Sequence, residues 1–298
     1  MNIKLGAHLS ISGGFDKALQ KVIDIGGNCL QIFSSSPRGW RFAQANEQQI
    51  AQFVNLKSRL KIDPVYFHAS YLINLADEGK IGHLSKMSLI AEMNLAEKMQ
   101  IKGSIVHLGS FKNKEKNKGQ SNLLPENYLS YDRDQDKKYK VLIDNIKEIL
   151  TKTPKEVLFI IENSGNRKIG QTLEEISRII KSLNDERVRL CLDTCHLFSN
   201  GYKFENEKEL AAFLDRLKQI DLIDKLELWH VNDSRDPFNS GKDRHANIGQ
   251  GTIATEEFYT LLNHPQTENY PFIIETPGFD NQGPDKKNLD ILKSLINA

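Results

Sequence analysis

A single α/β domain, folded as a (β/α)8 TIM barrel over residues 1–298, is the architecture this sequence predicts. Three observations point to it. Eight brief apolar runs, rich in branched and aromatic residues, recur along the chain, as strands buried on both faces require. The intervals between them are far too long for hairpins and suit helices crossing over between parallel strands. No low-complexity linker divides the chain, and no GxGxxG follows any run, which ranks an open Rossmann-type sheet second.

The runs occupy residues 3–6, 29–33, 65–67, 105–106, 157–161, 188–192, 226–229 and 272–274. After the third, residues 82–99 place Leu84, Met87, Ala91 and Leu95 on one stripe, which predicts an amphipathic helix. Residues 140–150 do likewise with Val141, Asn145, Ile146 and Ile149. Thr172 precedes Glu174 and Glu175, a helix start with acidic residues near its positive dipole end. Residues 285–296 read as a closing helix. The longest interruption, 110–138, follows the fourth run and is polar, charged and without sustained periodicity. A solvated loop on the face where the strands end is expected there. Lys112, Lys114, Lys116 and Lys118 are its candidate phosphate contacts, diluted by Glu115 and later acidic residues.

Hydrophobic residues make up 39% and charged residues 27%, which excludes fibrous and wholly disordered classes. Lys+Arg number 40 against 39 Asp+Glu. That balance neither demands nor forbids a nucleic-acid partner, because an enzyme needs only one basic face and metal ions attract phosphate themselves. No apolar run approaches the roughly 20 residues that span a bilayer, and MNIKLGAHLS has no signal-peptide pattern. Three cysteines, Cys29, Cys191 and Cys195, cannot all pair and lack zinc-ribbon spacing. Buried thiols in a reducing cytoplasm are expected.

The functional signal lies in where polar residues fall. His68, His107, Glu162, Asp193, His230 and Glu275 close six of the eight runs. In a barrel all strand C-termini share one rim, so residues remote in sequence converge there. His196, Asp243 and His245 follow in the adjoining loops. Five imidazoles and four carboxylates suit Zn²⁺ or Mn²⁺. Nine candidates exceed the needs of one tetrahedral ion, so a multinuclear site with a shared carboxylate is expected. One histidine at a strand end is more often a hydrogen-bonded buried group than a ligand. An ionised carboxylate buried without a partner is costly, and six such coincidences on one rim carry the metal reading. His83 and His264 lie outside the pattern. His8 ends the first run and is expected to orient a ligand rather than bind metal.

Several motifs then match a known family: GAHLS at 6–10, HASYLINL at 68–75, HLGS at 107–110, IENSG at 161–165, LDTCHLFSNGY at 192–202, HVNDS at 230–234, DRHANIGQG at 243–251 and IIETPG at 273–278. Through them the chain resembles endonuclease IV, the zinc-dependent apurinic/apyrimidinic endonuclease family, over nearly its whole length. The resemblance implies three Zn²⁺ ions, with Mn²⁺ a possible occupant. His68, His107 and Glu162 would hold the first. Glu162 would bridge to a second, also held by Asp193, His230 and Glu275, while His196, Asp243 and His245 would hold the third. Glu162 and Glu275 would be catalytic.

The implied activity is DNA repair on double-stranded DNA. It cleaves 5′ to abasic sites, leaving 3′-hydroxyl and 5′-deoxyribose phosphate ends, and trims blocked 3′ ends. Arg38, Tyr71 and Leu72 match the family's DNA-penetrating loops. A monomer without membrane contact is expected. The chain departs from the family at Phe111, which ends HLGSF where HxGSH is common, at Ala69 where HDSYLINL is common, and in IENSGNRKIG, which replaces ENTAGQG. None of these removes a ligand candidate. Two other readings compete: a xylose-isomerase-like sugar isomerase or epimerase, and a non-catalytic DNA-damage binding module. Neither requires the His196, Asp243 and His245 set.

Overall fold

The computed structural model describes residues 3–111, 133–166 and 168–296. Ten strands are present among them: β1 Leu5–Leu9, β2 Cys29–Phe33, β3 Val65–His68, β4 Gly103–Val106, β5 Leu158–Glu162, β6 Val188–Asp193, β7 Leu226–His230, β8 Asp233–Ser234, β9 His245–Ala246 and β10 Phe272–Ile274. Eight of them close a parallel barrel in the order β1-β10-β7-β6-β5-β4-β3-β2, and β8 and β9 form a separate antiparallel pair. The chain is a TIM barrel, as its apolar runs predict.

Helices α1 Phe15–Asp24, α2 Glu47–Leu60, α3 Lys80–Lys98, α4 Arg133–Thr151, α5 Leu173–Leu183, α6 Thr194–Ser199, α7 Glu207–Gln219, α8 Thr255–Asn263 and α9 Lys286–Ser294 fill the intervals. Several start where the sequence supplies a cap. Asn46 and Gln49 form a reciprocal capping box on α2, and the Thr172 hydroxyl accepts from the Glu175 N–H to open α5.

The barrel interior is filled by Cys29, Tyr66, Ile105, Ile160, Cys191, Leu228 and Ile273, with no exposed surface. Tyr66 is tolerated there because its hydroxyl donates to Glu227 at 2.6 Å. A second, larger apolar layer lies between strands and helices. Strands β1 and β2 approach so closely that a Cβ on Gly6 would stand 1.9 Å from the Cys29 carbonyl oxygen. All three cysteines are buried and free.

Two expectations need correction. The stripe assigned to residues 82–99 is rotated: Met87 is exposed and Leu84 half-buried, whereas Gly82, Ser85, Leu89, Glu92, Met93, Leu95 and Ala96 face inward. A buried carboxylate misled the reading, because Glu92 is satisfied by the hydroxyls of Ser34 and Ser104. The polar interval 110–138 also ends earlier than expected, since α4 begins at Arg133. Lys112, Lys114, Lys116 and Lys118 lie outside the described residues. Among the described residues no helix is long and apolar enough to cross a membrane.

Candidate metal centre

The barrel brings all nine candidate ligands to the rim at the strand C-termini. His68, Glu162, Asp193 and His230 are the last residues of β3, β5, β6 and β7. His107 and Glu275 come immediately after β4 and β10. His196 lies in the first turn of α6, which Asp193 caps by accepting from the His196 N–H. Asp243 lies near the end of the β8–β9 loop, and His245 is the first residue of β9. Asp233 pins the segment that follows β9, because its carboxylate accepts from the N–H groups of Ser234, Gly249, Gly251 and Ile253 at 2.7–3.0 Å. Gly251 must be bare, since a Cβ there would meet Asp233 Oδ1 at 2.2 Å.

Donor atoms gather into the three expected sets: His68, His107 and Glu162; Glu162, Asp193, His230 and Glu275; and His196, Asp243 and His245. Within each set the atoms lie within 4.8 Å of one another. Asp193, Cys195 and His245 form a further overlapping group. Burial, aided by Asp193, pushes the Cys195 thiol up, so it keeps its proton and ranks below the carboxylates as a ligand. Glu162 belongs to two sets and has no exposed surface.

A hydrogen-bond pattern tests whether these residues fit a cation. His68 Nδ1 lies 2.8 Å from the Ala69 carbonyl oxygen, and its Nε2 faces Glu162 Oε2 at 3.1 Å. His196 Nδ1 meets the Asn163 carbonyl at 2.9 Å, while Nε2 faces Asp243 Oδ1 at 3.1 Å. His230 Nε2 meets the Gln31 amide oxygen at 2.7 Å, while Nδ1 faces Glu162 Oε1 at 3.2 Å. His245 Nδ1 is 3.3 Å from the Glu275 carbonyl, and Nε2 faces Asp243 and Asp193 at 3.6 and 3.7 Å. In each ring one nitrogen donates to a neutral oxygen. The other then presents a lone pair to carboxylates, which is repulsive unless a proton or a metal ion lies between. His196 Nε2 and His245 Nε2 are accordingly buried without a hydrogen-bond partner. The donor set fits divalent ions bound by nitrogen and oxygen.

Electrostatics agree with that picture. Burial works against a charged His196, but Asp193, Asp243 and Glu162 override it and raise its pKa to about 10. Burial opposes charge on His68 too, yet Glu162 and Glu275 hold its pKa up. For Glu162, burial is outweighed by His107, His230 and His68, which pull its carboxyl well below the usual range. His107 behaves differently: burial pulls it down to about 4, so it is a neutral imidazole of the kind a metal requires.

The centre opens into a cleft of about 420 Å³, lined also by Phe33 and Tyr71. Tyr71 is 64% exposed, the most exposed large hydrophobic residue described. Arg38 is exposed and Leu72 half-buried. Their two loops are tied together, as Ser70 Oγ donates to the Pro37 carbonyl at 2.8 Å.

Supporting residues escaped the sequence reading. Asn163 Oδ1 accepts from the Asp193 N–H at 2.7 Å. Asn232 donates to Asp193 Oδ2 at 2.6 Å and accepts from the Glu275 N–H at 2.7 Å. Both asparagines follow soon after a ligand candidate, in IEN and HVN, and that adjacency was the available signal. Gln31, the one polar residue of CLQIF, is fully buried beside His230. His8, expected to orient a ligand from the end of the first strand, is the penultimate residue of β1, with Nδ1 2.9 Å from Glu275 Oε1.

Comparison with known proteins agrees with this geometry. The family model of xylose isomerase-like TIM barrels matches residues 19–295. A probable endonuclease 4 of Sulfurihydrogenibium sp. (strain YO3AOP1) is 32% identical over 298 residues, covering 99% of each chain. The crystal structure of endonuclease IV from Thermus thermophilus superimposes with a TM-score of 0.80 at 26% identity, covering 98% of both chains. A 3-keto-D-glucoside 4-epimerase from E. coli gives a TM-score of 0.66 at 15% identity, covering 98% of this chain and 100% of that one, which shows a shared fold alone. With full-length identity above the level at which a family is shared, the chain belongs to the endonuclease 4 family of xylose isomerase-like TIM barrels.

Proposed function

We propose that the chain is a DNA-repair endonuclease that hydrolyses the phosphodiester 5′ to abasic sites in duplex DNA through three Zn²⁺ ions. The products are a 3′-hydroxyl and a 5′-deoxyribose phosphate, and blocked 3′ ends are trimmed by the same chemistry. One observation carries the reading: four imidazoles each spend one nitrogen on a neutral oxygen and turn the other toward shared carboxylates. When bound, the ions lower the pKa of water and neutralise charge developing on the phosphate.

The remaining work belongs to the chain. Glu162 places one negative charge between two donor sets, which lets two cations lie close together. Glu275, whose Oε1 lies 2.9 Å from His8 Nδ1, would orient the attacking water and take its proton. Attack forms an oxygen–phosphorus bond and breaks the bond from phosphorus to the 3′ oxygen. His196, Asp243 and His245 line the cleft, where they would grip the phosphate. A missing base lowers the unstacking cost, so extrusion itself selects the lesion. Tyr71 and Leu72 fill the gap and Arg38 takes a phosphate or base edge.

The test is an end-labelled duplex carrying one abasic site, incubated with and without chelator. Chelator-sensitive cleavage on the 5′ side is expected. Sugar isomerisation or epimerisation without strand cleavage would overturn the proposal, since the Glu162, Asp193, His230 and Glu275 set resembles what those enzymes use.

A further inference from the structure

We infer that Gln31 is a positioning residue that selects which atoms of His230 and Glu275 face the metal centre. The inference rests on the metal reading above and extends it to a residue outside the ligand sets. Gln31 is the middle residue of β2, paired in register with His8 on β1 and Tyr66 on β3. Strand alternation sends its side chain into the barrel, where it has no exposed surface. A buried amide there needs partners for both ends.

Its partners are two members of one donor set. Gln31 Oε1 accepts from His230 Nε2 at 2.7 Å. Gln31 Nε2 donates to Glu275 Oε1 at 2.6 Å and lies 2.7 Å from His8 Nδ1. The amide cannot be reversed, because its oxygen would then face a carboxylate oxygen at 2.6 Å, acceptor against acceptor. With this orientation the proton of His230 is held on Nε2. The Nδ1 lone pair is thereby aimed at Glu162 Oε1, Glu275 Oε2 and Asp193 Oδ2, at 3.2, 3.6 and 3.8 Å. Glu275 is sorted in the same way. Oε1 is occupied by the Gln31 amide, which leaves Oε2 for the donor set. One neutral side chain thus fixes the ligating atom of two residues, the last of β7 and the first after β10. An uncharged amide can do this without adding to the charge of a crowded anionic site.

The test titrates zinc onto the full-length chain against a chromophoric chelator, comparing wild type with Gln31→Met, which keeps length and loses both hydrogen bonds. Wild type should bind three ions. Gln31→Met should keep two at wild-type affinity and bind the third about 10–100-fold more weakly, the usual effect of removing a ligand's hydrogen-bond partner. At limiting zinc, kcat on an abasic duplex should fall while KM stays unchanged. Gln31→Asn, which retains the amide but is one methylene too short, should behave alike. Melting of the zinc-free proteins reports whether each variant folds. Three unchanged zinc affinities in either folded variant overturn the inference. Nitrogen-15 spectra of histidine-labelled wild type give a reading that needs no variant: a His230 without a proton on Nε2 also overturns it. A wild-type chain that binds no zinc overturns the metal reading first, and this inference with it.

Discussion

Replacing Glu162 with glutamine removes a single charge from a side chain with no exposed surface and keeps its shape. Because Glu162 contributes to two of the three donor sets and His245 to only one of those three, the two substitutions should differ in a countable way. For a chain of 298 residues, an unfolding entropy of about 2.1 cal/mol/K per residue corresponds to about 0.6 kcal/mol per degree. Free zinc at a hundredfold excess over a site's Kd stabilises the folded state by about 2.7 kcal/mol. Each filled site therefore raises Tm by about 4 °C, and three raise it by about 13 °C. Glu162→Gln should retain a zinc-dependent gain of about 4 °C and His245→Ala about 9 °C. Taking the difference between zinc-loaded and zinc-free melts of the same variant cancels whatever the substitution does to the empty protein. Scanning calorimetry in zinc-buffered solution, with bound zinc counted by elemental analysis, gives both quantities. Equal zinc gains and equal zinc content in wild type and Glu162→Gln would refute the shared-carboxylate reasoning.

Other consequences are open to measurement. In the zinc-free protein His196 is raised to about 10 from an ordinary value of 6.5, burial being overridden by Asp193, Asp243 and Glu162. A raised folded pKa contributes stability that is full below the unfolded pKa and lost as pH climbs through the folded one. Urea denaturation of zinc-free protein should therefore show falling stability from about pH 6.5 to 10, and His196→Gln should flatten that decline; an unflattened profile would count against the pairing. Tyr71→Ala with Leu72→Ala should lower affinity for abasic duplex about tenfold more than for undamaged duplex, from a stacking contribution of about 1–3 kcal/mol, with zinc content unchanged. Arg38→Ala should weaken the same discrimination in the same binding assay, and an intact affinity ratio in the double variant would dismiss the wedge. Asp233→Ala strands four backbone N–H groups. It should destabilise the chain by at least about 3 kcal/mol in denaturant and weaken zinc at the Asp243 and His245 site.

What could be read from the sequence depended on which interactions are local. The strands were legible because short branched runs between long intervals have few alternatives, and the rim ligands because each sits at or just after a run's end. The inward face of α3 was not legible, since Glu92 is accommodated only by serines brought in from β4 and the loop after β2. Gln31 was passed over inside an apolar run for the same reason: its partners are 23, 199 and 244 residues away. Spacing identifies a residue type at an edge, whereas a buried polar residue becomes meaningful only when its distant partners are known. His8 lies between these cases, since its place near a strand end suggested a supporting part and its contact with Glu275 supplies one.

The sharing of donors among strands also sets an order of assembly. The His68, His107 and Glu162 set is complete once β5 has formed, whereas the four-donor set waits for Glu275, 113 residues later (275 − 162). Glu275 follows β10, the strand whose pairing with β1 closes the barrel. During synthesis the growing chain can thus offer a three-donor site long before it has a complete centre. Contacts this remote in sequence form late because the loop-closure entropy must be overcome first. Nucleolytic competence would then arrive with ring closure, so that a truncated or half-folded chain could sequester an ion yet leave DNA uncut.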